Sequence, residues 1–66
     1  MKQLVGDTPM EQGQRVEIIF SNGDREKGTY QYSFGYNHSF DLDKGSTVVL
    51  SNHFMRLKGI RVKIID

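Results

Sequence analysis

The sequence predicts an all-β domain, folded as one small, strongly bent, five-stranded barrel. Three observations predict it. Short runs of alternating apolar and polar residues recur along the 66-residue chain, which is the period-two signature of half-buried strands. Glycine-bearing turn signals separate these runs roughly every ten residues. No amphipathic helix longer than a turn stands out.

Length and composition support the same reading. A chain of 66 residues makes one domain and buries only about 60% of the surface its unfolded form exposes. With zero cysteines, neither disulfides nor thiolate-bound metals can reinforce the core. Stability then rests on a well-closed small barrel or on self-association. Residues 1–13 read as an N-terminal arm and residues 14–66 as the single barrel domain.

The arm is punctuated by Gly6, Pro9 and Gly13. It reads as an irregular lead-in whose Leu4, Val5 and Met10 can dock on the domain. The first strand is predicted over Arg15–Ser21, with Val16, Ile18 and Phe20 on one face and Ile19 as the apolar exception on the other. Ser21-Asn22-Gly23-Asp24 follows. With Asn22 and Gly23 at its centre it predicts a two-residue type I′ hairpin turn. The second strand runs over Arg25–Phe34. Gly28 in its interior marks a bend or a bulge, and Tyr30, Tyr32 and Phe34 share one face. Those three rings are expected in the core, the alternative being an exposed stacking stripe.

Gly35-Tyr36-Asn37 is a short turn, and His38–Leu42 is the third strand with Phe40 and Leu42 on one face. Thr47–Ser51 is the fourth. Asn52-His53-Phe54-Met55 is a break with room for a short 3₁₀ turn. Ile60–Ile65 closes the chain, with Ile60, Val62 and Ile64 inward and Arg61 and Lys63 outward.

Two pieces carry a resemblance. Val16-Glu-Ile-Ile-Phe-Ser-Asn-Gly-Asp-Arg-Glu-Lys-Gly-Thr-Tyr30 and Met55-Arg-Leu-Lys-Gly-Ile-Arg-Val-Lys-Ile64 resemble the Sm-type members of the SH3-like small barrels. The shared features are the spacing of Gly23 and Gly28 and a closing Arg-Gly segment before a last apolar strand. The resemblance implies an SH3-like barrel; an OB-like barrel, which carries similar turns, is the alternative. The family's RNA-reading loop would fall near Phe34, Asn37 and His38. Its aspartate and methionine have no counterpart here.

Function is read from charge and aromatics. Residues 1–43 carry four cations against seven acids, and residues 44–66 carry five cations against one acid, which returns the net +1. The basic end draws attention to Arg56, Lys58, Arg61 and Lys63. Cations so placed can meet phosphates or an acidic protein surface. Tyr36 in a turn can stack on a base, and Asn37 and His38 share its loop as hydrogen-bonding groups. Ile19, Tyr36 and Ile65 are candidate apolar anchors for a protein partner. The expected function is a non-catalytic binding module for RNA or single-stranded DNA. The alternatives are a protein-interaction module, such as a regulator or inhibitor of a larger complex, and a structural homo-oligomer.

Other chemistry is weakly represented. Asp41-Leu-Asp43-Lys-Gly45 echoes the start of a calcium loop, yet its twelfth position is Asn52 and not glutamate. Alternation puts His38 on the opposite strand face from Ser39 and Asp41, which opposes a triad. No metal, cofactor or catalytic group is expected. No apolar run is long enough to span a bilayer, and the first residues lack the apolar core of a leader peptide. A cytoplasmic location is the expectation.

Overall fold

The computed structural model describes residues 2–65. In chain order the elements are β1 (Gln3–Val5), β2 (Thr8–Met10), β3 (Arg15–Ile19), β4 (Arg25–Phe34), β5 (Asn37–Leu42), β6 (Thr47–Ser51), α1 (Asn52–Lys58) and β7 (Arg61–Ile64). β3 to β7 form one antiparallel sheet in the order β6-β5-β4-β3-β7, and β1 pairs with β2 in a separate hairpin.

The alternation read from sequence places the core. Val16 and Ile18 of β3, Tyr30 of β4, Phe40 and Leu42 of β5, Leu50 of β6 and Val62 of β7 are buried on the inner face. Met55 of α1 and Val5 and Met10 of the hairpin complete the cluster. The Tyr30 and Phe40 rings meet at 5.5 Å and 45°, a tilted contact worth about 0.5–1.5 kcal/mol beyond the area it buries.

The sheet is not a barrel. β6 and β7 are its two outer strands, and among the described residues no ladder joins them. Instead α1 spans the return from one edge to the other. Between β6, the β3–β4 turn and the end of α1 lies a groove of about 800 Å³, whose apolar lining is Val48, Leu50 and Phe54 together with Phe20 and Ile60. The expected SH3-like or OB-like closure and the Sm-type resemblance are corrected accordingly: side chains and a helix stand where closing hydrogen bonds would be.

Gly28 does not mark the bulge. It pairs with Val16 and Leu42 in unbroken register. There β4 and β5 pack so closely that a Cβ would overlap the Asp41 carbonyl. The register shifts between Tyr30 and Tyr32, where Gln31 is the extra residue. A one-residue bulge reverses the facing of everything beyond it. Tyr30 is therefore 1% exposed, while Tyr32 at 54% and Phe34 at 45% lie on the outer face. Their rings contact each other at 5.6 Å. The expected aromatic core stripe is thus split.

Two further local readings change. The β3–β4 loop is a three-residue connection: Gly23 N–H donates to Phe20 O (3.0 Å) and Phe20 N–H to Asp24 O (2.8 Å). Only Gly23 has positive φ, at 94°, so the geometry is a type I turn with a glycine bulge and not type I′. α1 is also longer than the expected turn. Ser51 Oγ caps it by accepting from Phe54 N–H at 3.0 Å, and Gly59 ends it in the left-handed region. Arg56 and Lys58 occupy its last turn, where cations complement the helix dipole.

Residues 3–10 are more regular than their punctuation implied. Gly6-Asp7 makes a two-residue turn between paired Val5 and Thr8, and Gly35-Tyr36 repeats it between Phe34 and Asn37.

The two edges of the main sheet differ. β7 presents Arg61 and Lys63 and lies against β2, both recognised protections of an edge. β6, Thr-Val-Val-Leu-Ser, has no charge, proline or bulge.

Candidate functional site

The four expected cations come from two elements and do not form one patch. Lys63 Nζ lies 3.4 Å from Glu17 Oε1, which also meets Arg25 Nη1 at 3.4 Å. Lys63 therefore shares one carboxylate with Arg25 across the outer face of β3. Lys58 ends α1 beside the apolar groove with Phe54 and Ile60. Arg56 and Arg61 converge, one from α1 and one from β7, on a cleft of about 360 Å³. Neither has an ion-pair or hydrogen-bond partner among the described residues.

The opposite wall of that cleft is the β1–β2 hairpin, through Val5, Gly6, Asp7 and Thr8. Arg56 also borders a second cleft of about 390 Å³, formed by Gln3, Leu4, Tyr36, His38, Asn52 and His53. Arg56 is thus the shared post of two adjoining clefts. Tyr36 is 90% exposed at the tip of the β4–β5 turn, so its ring is free to stack.

Asn52 ties the hairpin to the helix. Its Nδ2 donates to Leu4 O and its Oδ1 accepts from Gly6 N–H, each at 2.8 Å. Asn52 stands in the sequence as one polar residue in the break after Thr47–Ser51, and nothing local distinguishes a clamp from a helix-terminal polar residue.

Asn37 and His38 are not equivalent loop groups. Asn37 opens β5 and is half-buried. His38 is 4% exposed on the inner face, where Phe40 and Leu42 also lie. Its Nδ1 is 3.3 Å from the Tyr30 hydroxyl, and its Nε2 has no hydrogen-bond partner among the described residues. Burial pushes the imidazole below its ordinary protonation range, and the Asn52 carboxamide opposes this to a smaller degree. Such a ring is neutral at pH 7 and forms part of the floor of the second cleft.

The expected apolar anchors are dispersed. Ile19 sits between Arg25 and Arg61 in register. Ile65 donates its N–H to Arg15 O at the other end of the β3–β7 ladder. Tyr36 stands at the far turn of β4–β5. The outward apolar residues that do share a face are Tyr32, Phe34 and Val49. The bulge that puts Tyr32 and Phe34 there has no sequence mark at Gln31.

The rest of the outer face is polar and internally satisfied. Arg15 makes a paired contact with Asp43 (Nη1–Oδ1 2.7 Å, Nη2–Oδ2 2.5 Å). Asp41 accepts from Gln31 Nε2 at 2.7 Å and from Thr47 Oγ1 at 3.1 Å. No cluster of three metal-ligating side chains exists among the described residues, and none of their helices is long and apolar enough to cross a membrane. No protein-family model, curated protein or solved structure matches this chain.

Proposed function

We propose that the chain is a non-catalytic binding module for single-stranded nucleic acid, RNA or DNA. The observation that carries this reading is the position of Arg56 between two clefts, one shared with Arg61 and the other with Tyr36 and His53. Two unpaired guanidinium groups suit successive phosphates, and the exposed ring beside them suits an unstacked base. Lys58 and Lys63 contribute general attraction and no specific contact.

The test is titration of a labelled single-stranded oligonucleotide at several salt concentrations. Each phosphate contact contributes about −0.7 to the slope of log K against log salt for a single strand. Arg56→Glu with Arg61→Glu should flatten that slope by about 1.4, and Tyr36→Ala should weaken binding at every salt concentration. Absence of binding at low salt sinks the reading. Equal or better binding to polyglutamate redirects it to a protein partner with an acidic surface.

A second reading, a protein-interaction module, draws on the unprotected β6 edge beside an apolar groove. An edge of this kind accepts an added strand. Here the expectation is association, with itself or a partner, that Val49→Lys abolishes without loss of fold. Sedimentation and amide line widths across a concentration series measure the self-association case.

A further inference from the structure

The β5–β6 ladder fixes which backbone groups of β6 face outward. At the turn that opens it, Leu42 N–H donates to Ser46 O at 2.8 Å. The register then runs without a shift through Asp41↔Thr47, Phe40↔Val48, Ser39↔Val49 and His38↔Leu50. Hydrogen-bonded and non-hydrogen-bonded pairs alternate in an antiparallel ladder. Val48 and Leu50 therefore bond to β5. Thr47, Val49 and Ser51 turn their N–H groups to the free edge, and Thr47 and Val49 their carbonyls as well. The Ser51 carbonyl is committed to α1, whose N-cap it is.

The side chains of Thr47–Ser51 are nearly symmetric about Val49. A small hydroxyl stands at each end, and Val48 and Leu50 face inward along the groove. Val49 is 48% exposed on the outer face. It pairs in register with Ser39, which pairs in turn with Tyr32. The edge therefore ends an apolar row on one face and borders an apolar groove on the other.

Resting on the reading of β6 as an interaction edge, we propose that its partner is β6 of a second copy, paired antiparallel about a two-fold axis through Val49. Val49 then exchanges N–H and C=O bonds with Val49 of the second copy. Ser51 N–H donates to Thr47 O across the seam, and symmetry repeats the bond. Val48 and Leu50 stand opposite each other on the inner face, so each strand lays these side chains along the groove of the other copy. No charged residue lies in Thr47–Ser51, so self-pairing sets no like charges opposite one another. The nearest cation on the preceding turn, Lys44, is held by Glu26 at 3.1 Å. β7 is unsuited to the same role, because it presents Arg61 and Lys63 and lies against β2. An isologous pair needs only groups that this one edge supplies.

Sedimentation equilibrium of the full chain across a concentration series, with amide exchange on the same samples, tests this. The mass should rise from the 7.6 kDa of one chain to twice that and no further. Salt should leave it unchanged because the seam is uncharged, whereas binding of nucleic acid falls with salt. Protection should grow with concentration at the Val49 and Ser51 amides and not at Thr47, which faces the committed Ser51 carbonyl. Val49→Pro deletes only an outward N–H, a change that an edge strand tolerates. It should keep the sheet and abolish the dimer; if it does not fold, Val49→Lys decides alone. A dimer that survives these substitutions overturns the two-fold pairing. A chain that stays monomeric at millimolar concentration overturns it too, and binding of a foreign strand by that monomer would leave the interaction-edge reading standing. Masses beyond a dimer, with protection at Val62 and Ile64, the outward amides of β7, would mean head-to-tail pairing of β6 with β7 and overturn it as well.

Discussion

Gly28 of β4 lies against the backbone of Asp41 in β5, so that a Cβ on Gly28 would overlap the Asp41 carbonyl oxygen. Backbone cannot step aside as a flexible side chain can. Gly28→Ala must spread the two strands where Val16 and Leu42 flank the glycine in register. The expected loss is about 1–3 kcal/mol of stability, read from the urea midpoint with the slope unchanged.

Tyr30 and Tyr32 are two residues apart and face opposite ways. Tyr30→Ala empties a buried ring site against Phe40 and should cost about 3–5 kcal/mol. Tyr32→Ala removes an exposed ring and should stay within about 0.5 kcal/mol. Equal losses in chemical denaturation would mean that the bulge at Gln31 is absent and that the two rings share the core.

The ends of α1 each rest on one residue. Ser51→Ala removes the oxygen that accepts from Phe54 N–H and should cost about 1 kcal/mol. Gly59→Ala puts a side chain on a residue with φ of 70° and should cost a similar ~1 kcal/mol. Its added Cβ meets only ordinary contact with Ser21, so the loss there is conformational. Faster exchange at the Phe54 amide should accompany the first change, and at the Ile60 amide, bonded to Met55 O, the second.

Acid should weaken the outer face through Asp43. The Arg15 guanidinium that donates to it holds its carboxyl below the ordinary value of 3.8. Because the folded form binds the proton less tightly than the unfolded chain, the stabilisation is complete above that value and is lost as pH falls through the lowered one. Asp43→Asn should flatten the stability profile below about pH 4. The pair is exposed, so added salt should reduce the difference between variant and parent.

The readable parts of the fold were those governed by period two. Val16 and Ile18, Phe40 and Leu42, and Val62 announce their inner faces by spacing alone, and Arg25–Phe34 and Thr47–Ser51 match the predicted strands residue for residue. The hairpin at residues 3–10 was hidden because three-residue strands are too short to show a period; only Gly6-Asp7, parallel to Gly35-Tyr36, hinted at a turn. The helix was signed at both ends by Ser51 and Gly59, but its single buried residue, Met55, gave no amphipathic stripe. Closure was the larger error. Whether outer strands meet depends on the path of the connection between them, and the capped helix sets that path. Of the candidate site, Arg56, Arg61 and Tyr36 were visible as residue types. That the first two share a cleft, that Lys63 pairs with Glu17 and that His38 lies in the core are tertiary facts with no local signature.

The unequal edges of the sheet bear on how large an assembly this chain can make. Growth of a β-structure without limit needs two receptive sides, one to join and one to be joined. Here β7 is guarded by Arg61, Lys63 and the Pro9-bearing strand β2, and β6 alone is receptive. Two copies meeting β6 to β6 about a two-fold axis would cover the unguarded edge of each main sheet. The asymmetry gives the main sheet one unguarded side and one guarded side, so that strand addition is directed to β6.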